Sequence, residues 1–157
     1  MMGYHTVFDI AQVGFQWWIS VLIFIFASLF VGVGGALRTS GDKSYVLKGT
    51  VFQAVGGVGI LGALAFFVAM YGEYRNARNA IDSHSYSVAE GVVSKFVPMP
   101  PGGHAVESFA INGVHFQHGS GWGSTTFNSE WNKGFVHDGV EARITYVGTA
   151  IIKVEVK

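Results

Sequence analysis

GFQWWISVLIFIFASLFVGVGGAL, residues 14–37, contains no charged side chain, and the uncharged run around it extends from Asp9 to Arg38. A second uncharged run separates Lys48 from Glu73. Each exceeds the ~20 apolar residues that a helix needs to cross a bilayer core of roughly 30 Å. With no Asp, Glu, Lys, Arg or His inside either run, there is no proton relay or ion ligand to propose, and transport is not expected. The pattern predicts a membrane α-helical hairpin with helices at about residues 14–37 and 50–72. A cleaved signal peptide is disfavoured because MMGYHTVFDI lacks Lys and Arg and the apolar run outlasts an h-region.

Working outward, Tyr4, Phe8, Phe15, Trp17 and Trp18 cluster ahead of the first helix, and Tyr71 and Tyr74 follow the second. Aromatic rings of this kind suit the headgroup layer, so residues before the first helix are expected to lie along the interface. Small residues recur at four-residue spacing: Ser28, Gly32 and Ala36 in the first helix, Gly59 and Ala63 in the second. Such ridges let two backbones approach, and they predict packing within the hairpin or between copies in a homo-oligomer. Arg38, Lys43 and Lys48 in the connecting loop outnumber Arg75 and Arg78 beyond the second helix. That bias predicts a cytoplasmic loop, with both termini on the outer face.

GEYRNARNAIDSHS reads as a helical stalk, with Tyr74, Ala77, Arg78 and Ile81 on one face and Asp82-Ser83 ending it. The chain therefore divides into residues 1–84, comprising interfacial segment, hairpin and stalk, and a soluble β domain over residues 85–157. From Ser85 onward six acidic residues face five basic ones, a net of −1, so the electrostatic footprint of a nucleic-acid binder is missing. The absence of cysteine excludes disulfides, thiolate metal sites and cysteine nucleophiles.

The β domain reads strand by strand. YSVAEGVVSKFVPM is one long strand, and its interior Gly91 predicts a bulge or sharp bend. In ESFAINGVHFQH, Asn112-Gly113 is a hairpin turn that sets Ile111 opposite Val114, Phe109 opposite Phe116 and Glu107 opposite His118. VEARITY and AIIKVEV form a last hairpin around Val147-Gly148-Thr149, with Glu141, Arg143, Lys153 and Glu155 turned to solvent. A bent first strand, a hairpin, a long connection and a final hairpin predict a five-stranded OB-like barrel.

VAEGVVSKFVPMPPGGHAVESFAINGVHF, with the Trp-Trp-flanked helix ahead of it and RITYVGTAIIKVEV behind, resembles an uncharacterised family of small bacterial membrane proteins. The resemblance covers most of the chain and is most specific in PMP-x-x-GH-x-x-ESF-x-x-NGV-x-F. It implies the fold just described and a bacterial inner-membrane location, and it carries no mechanism. Where family members continue the third strand into a Tyr-Ser pair, this chain has Gln117-His118-Gly119-Ser120.

Chemistry is thinly written. His115 and His118 lie three apart on a strand and face opposite ways, while His104 and His137 sit in turns, so neither a metal site nor a cofactor is expected. No nucleophile-elbow pattern surrounds Ser120, and the chain is not expected to be an enzyme. The connection GSGWGSTTFNSEWNKGFVHDG carries Trp122, Phe127, Trp131 and Phe135. Long loops in compact domains are commonly functional, and four large rings argue against disorder. They form a candidate surface for a peptide, glycan or small ligand, or else plug the barrel end. Glu107 and His118 are candidate site residues at the barrel mouth, where the carboxylate is expected to raise the imidazole pKa. The function these features favour is a membrane-tethered binding or adaptor module whose partners are the lipid bilayer and an envelope protein or ligand. The alternative is a sensor-effector in which ligand binding to the barrel drives the helices to oligomerise.

Overall fold

The computed structural model describes residues 3–100, 105–119 and 124–157. In chain order the elements are β1 (His5–Asp9), α1 (Ile10–Val13), α2 (Trp18–Arg38), α3 (Lys43–Asp82), β2 (Ser87–Val97), β3 (Glu107–Ile111), β4 (Val114–His118), α4 (Ser129–Asn132), β5 (Glu141–Val147) and β6 (Ala150–Val156). By compactness they fall into two units, one of residues 16–71 and one of residues 1–15 with 72–157.

The first unit is the pair α2 and the first part of α3. Both helices are long and apolar enough to cross a membrane, and little of their most apolar stretches is buried, 17% and 11%. Large side chains such as Phe26, Leu29, Val58, Leu61 and Val68 are mostly exposed. Core helices of a globular protein would bury that surface. The close approach between the helices is not where four-residue spacing put it. Gly32 and Ala36 are exposed, and the Ser28 hydroxyl donates to Phe24 O of its own helix. The buried positions are Ser20, Ala27 and Gly34 on α2 and Gly49, Gly56, Ala63 and Met70 on α3, in each case seven residues apart. A β-carbon on Gly34 would fall 2.6 Å from Gly49 O, and one on Gly56 would fall 2.7 Å from Ala27 O. Gly59 and Ala63 do belong to this contact: a β-carbon on Gly59 would lie 2.9 Å from Ala27 Cβ. A strict seven-residue repeat keeps one seam facing the partner along the whole helix, which a four-residue ridge does not.

The second unit is an antiparallel sheet of six strands in the order β1-β6-β5-β2-β3-β4. It is open, with β1 and β4 at its edges, so the expected five-stranded closed barrel is corrected to a six-stranded open sheet. The additional strand is the N-terminal segment. Instead of lying along an interface, His5–Asp9 pairs with β6, Phe8 is buried and Ile10 fully so. Thr6, Val7 and Phe8 are good strand formers, and here they cover an apolar sheet edge. Just ahead of β1, the Tyr4 hydroxyl donates to Glu90 (3.1 Å) and Glu141 (3.2 Å), and its ring lies under the Arg143 guanidinium. Lost hydration and those two carboxylates push its pKa up to about 12.

Strand β2 changes partner along its length. It pairs with β5 as far as Val92 and with β3 from Val93. Gly91 is required for close approach: at its φ of 155° a β-carbon would lie 2.9 Å from Nδ2 of Asn112, the group that donates to Glu90 O. The register shift itself falls later, between Ser94 and Val97, where Lys95 takes a left-handed φ of 54°. The stalk continues the second long helix, as expected, so that α3 runs unbroken to Asp82. Its Ala77 is buried in the core, and Tyr74 and Ile81 pack against it. Around that core sit Val93, Phe109, Ile111, Phe116, Ile144, Ile151, Ile152 and Val154, each nearly or fully buried.

Candidate functional site

Asn112 and Gly113 both take left-handed backbone, φ 48° and 83°, the conformation of a two-residue hairpin turn. The turn fixes the register of β3 on β4, so Ile111 meets Val114, Phe109 meets Phe116 and Glu107 meets His118, as the sequence predicts. The Phe109 and Phe116 rings stack at 5.2 Å. Beyond them, Glu107 and His118 are themselves buried, with Oε1 and Nε2 3.4 Å apart. Glu107 Oε1 accepts a hydrogen bond from Asn132 Nδ2. Asn132 closes α4 and is held in turn by the Val136 backbone, whose N–H donates to its Oδ1 at 2.7 Å. A polar line thus runs from His118 through Glu107 to Asn132 within the apolar interior.

His118 is unusual in that line. Its ring lies edge-on between Phe109 (6.0 Å) and Phe127 (5.0 Å), and among the described residues neither ring nitrogen makes a well-aligned hydrogen bond, the Glu107 carboxylate standing off at 3.4 Å. Burial pushes its pKa down to about 4, with the Gly119 backbone opposing the shift. This reverses the expected direction. The two residues do meet, but desolvation of imidazolium outweighs the carboxylate because the pair lies inside the unit, away from a solvated mouth. The neutral ring can still both accept and donate a hydrogen bond.

The far side of His118 lines a pocket of about 190 Å³ at the end of β4, together with Glu73, Gln117, Ser124, Thr126 and Thr149. Glu73, half-buried on α3, is the only charged residue on its wall among the described residues. Its carboxylate accepts from Ser124 Oγ (3.4 Å), Thr126 Oγ1 (3.3 Å) and the Thr125 backbone N–H (3.4 Å), all near the outer limit of hydrogen bonding. Thr125 Oγ1 is buried without a hydrogen-bond partner. The pocket therefore offers one carboxylate, two hydroxyls and a neutral imidazole to a ligand rich in donors.

The described aromatic residues of the connection differ in exposure. Phe127 is a core residue, with its ring 5.6 Å from that of Phe8. Trp131 is half-buried against Phe8, at 5.4 Å. Phe135 is 45% exposed, and Trp122, like His104, lies outside the described residues. His115 is exposed where His118 is buried, on opposite faces of β4, and His137 Nδ1 sits 3.0 Å from Asp138 O. Among the described residues no three metal-ligating side chains converge. Sequence reasoning missed Glu73, Ser124, Thr126 and Asn132. The available signal was Glu73 itself, the first charge after 24 uncharged residues, placed on a helical face whose other members are apolar. Comparison with protein-family descriptions, with curated proteins and with solved structures found no match for this chain.

Proposed function

We propose that this chain is a membrane-tethered binding module: α2 and α3 cross the bilayer, and the β unit presents the pocket beside His118 to a ligand or envelope partner. The observation that carries the reading is a polar pocket whose wall includes Glu73 and the buried imidazole of His118, a ring that makes no well-aligned hydrogen bond. Leaving a buried polar group unsatisfied costs about 1–3 kcal/mol, and such groups concentrate where an occupant completes them. The tether rests on the length, apolarity and low burial of the two helices. The loop residues Arg38, Lys43 and Lys48 favour a β unit on the outer face of a bacterial inner membrane, in line with the resemblance to small bacterial membrane proteins.

The test is a photo-crosslinking side chain at Gln117, an exposed residue of the pocket wall, in protein kept in its native membrane. A discrete light-dependent adduct at Gln117, absent with the same probe at exposed Val55 of α3, is the expected result. Adducts at neither position, or release of the protein from membranes by alkaline carbonate, would overturn the reading.

A further inference from the structure

The pocket's chemistry narrows its occupant. A carboxylate, the only charged wall residue among those described, disfavours phosphate, sulfate and carboxylate ligands and favours a cation. The remaining groups, the hydroxyls of Ser124 and Thr126 and the imidazole of His118, all carry lone pairs that can accept from a donor-rich cation. A quaternary ammonium, having no N–H, would be held by a cage of aromatic faces. Among the described residues Phe127 is the only aromatic ring on this wall besides the imidazole, and its side chain is fully buried. A primary ammonium has three N–H donors, which match a carboxylate and two hydroxyls.

Glu73 also sits at a particular height. It is the first charged residue after the uncharged run of α3, two positions beyond Tyr71. A helix rises about 1.5 Å per residue, so a helix crossing lipid through that run brings Glu73 out at headgroup depth. There the most concentrated primary ammonium is that of a phospholipid headgroup, and a soluble small amine offers the same group.

We infer that the pocket formed by Glu73, Ser124, Thr126 and His118 binds the primary ammonium of an ethanolamine-type group. This inference rests on the membrane-tethered reading for its position and on the pocket wall for its chemistry. Glu73 supplies the counter-charge, the two hydroxyls accept further N–H donors, and the buried His118 ring closes the wall beside them.

The experiment uses the full chain in nanodiscs. Thermal melting is compared in phosphatidylcholine alone and in phosphatidylcholine with phosphatidylethanolamine added; free ethanolamine and free choline are titrated into the first preparation. Stabilisation by phosphatidylethanolamine identifies the headgroup as the source, and stabilisation by free ethanolamine alone identifies a soluble amine; either supports the inference. Glu73→Gln, which keeps the acceptor oxygen and removes the charge, should weaken the effect about tenfold or more, the usual size of a charge-assisted contact. Should that variant not fold, Ser124→Ala takes its place with a smaller loss. No stabilisation by either amine, equal stabilisation by choline, or an undiminished effect in the variants would overturn the inference. A Gln117 adduct obtained alongside such a negative result would leave the binding module standing and dismiss only its ammonium ligand.

Discussion

Acidification should destabilise the β unit through His118. The folded-state pKa is about 4, against roughly 6.5 in an unfolded chain. A lowered pKa means that the unfolded chain takes up the proton first, so stability falls as pH drops below about 6.5 and stops falling near the folded value. At 1.36 kcal/mol per unit, going from pH 6.5 to pH 5 removes about 2 kcal/mol, and the full span removes about 3 kcal/mol. The window above pH 5 is chosen because Glu90 and Glu141, held below the usual carboxylate range chiefly by Arg143 and Lys157 respectively, lose their contribution only at lower pH. The assay is urea unfolding of the full chain in detergent, followed by tryptophan fluorescence at intervals from pH 7.5 to 5, for the wild type and for His118→Gln. The wild type should lose about 2 kcal/mol across the window while the variant stays nearly flat. Equal slopes would show that His118 is not the group responsible. Stability rising on acidification would show that Glu107, 3.4 Å away, wins over burial and that the ring is an imidazolium.

Phe116→Ala removes a buried ring stacked on Phe109 and meeting Tyr146 edge-on at 5.1 Å, and should cost about 3–5 kcal/mol in the same unfolding assay; an unchanged midpoint would contradict the hairpin register. In the helix pair, Gly56→Val should loosen α2 from α3, because Ala27 O leaves no room for a β-carbon, whereas Gly32→Val should be tolerated, having nothing within 4 Å. Cysteine crosslinking between α2 and α3 reads the difference, and equal effects would restore the four-residue seam. A phosphatase reporter after Lys157 should be active, and a fluorescent cytoplasmic reporter at the same site dark; the opposite pair of results would invert the orientation drawn from Arg38, Lys43 and Lys48.

What could be read from the sequence was what local rules determine. Asn112-Gly113 fixed a register because two consecutive left-handed residues admit few turns, and the Phe109–Phe116 and Glu107–His118 pairs followed. The β5–β6 hairpin was visible because its charged and apolar residues alternate, although a shift at Thr145 and Tyr146 was not. β1 was hidden: a five-residue strand beside an aromatic-rich helix start looks like an interfacial segment until a distant partner is known. The helix seam was legible in half: Gly59 and Ala63 lie in the contact, whereas Gly32 and Ala36 satisfy a four-residue spacing off the seven-residue line of Ser20, Ala27 and Gly34. Phe127 and Trp131 were recognised as purposeful, but composition cannot tell a ring that binds from a ring that fills. The direction of the His118 shift was out of reach because it depends on burial depth, a property of the packed unit rather than of residue order.

Strand β1 has a consequence for how such a chain is made. Its His5 pairs with Val156, so the sheet edge joins positions separated by nearly the whole sequence, with both long helices threaded between them. Two segments that flank a membrane hairpin can share one sheet only if they finish on the same side of the bilayer, which requires an even number of crossings. Synthesis delivers β1 before both long helices and β6 after them, so the loop between the partners closes late and at an entropic cost. Until β6 is made, the β1 segment has no partner strand. On the membrane-tethered reading proposed above, the two strands can zip only in molecules whose helices have inserted as a pair.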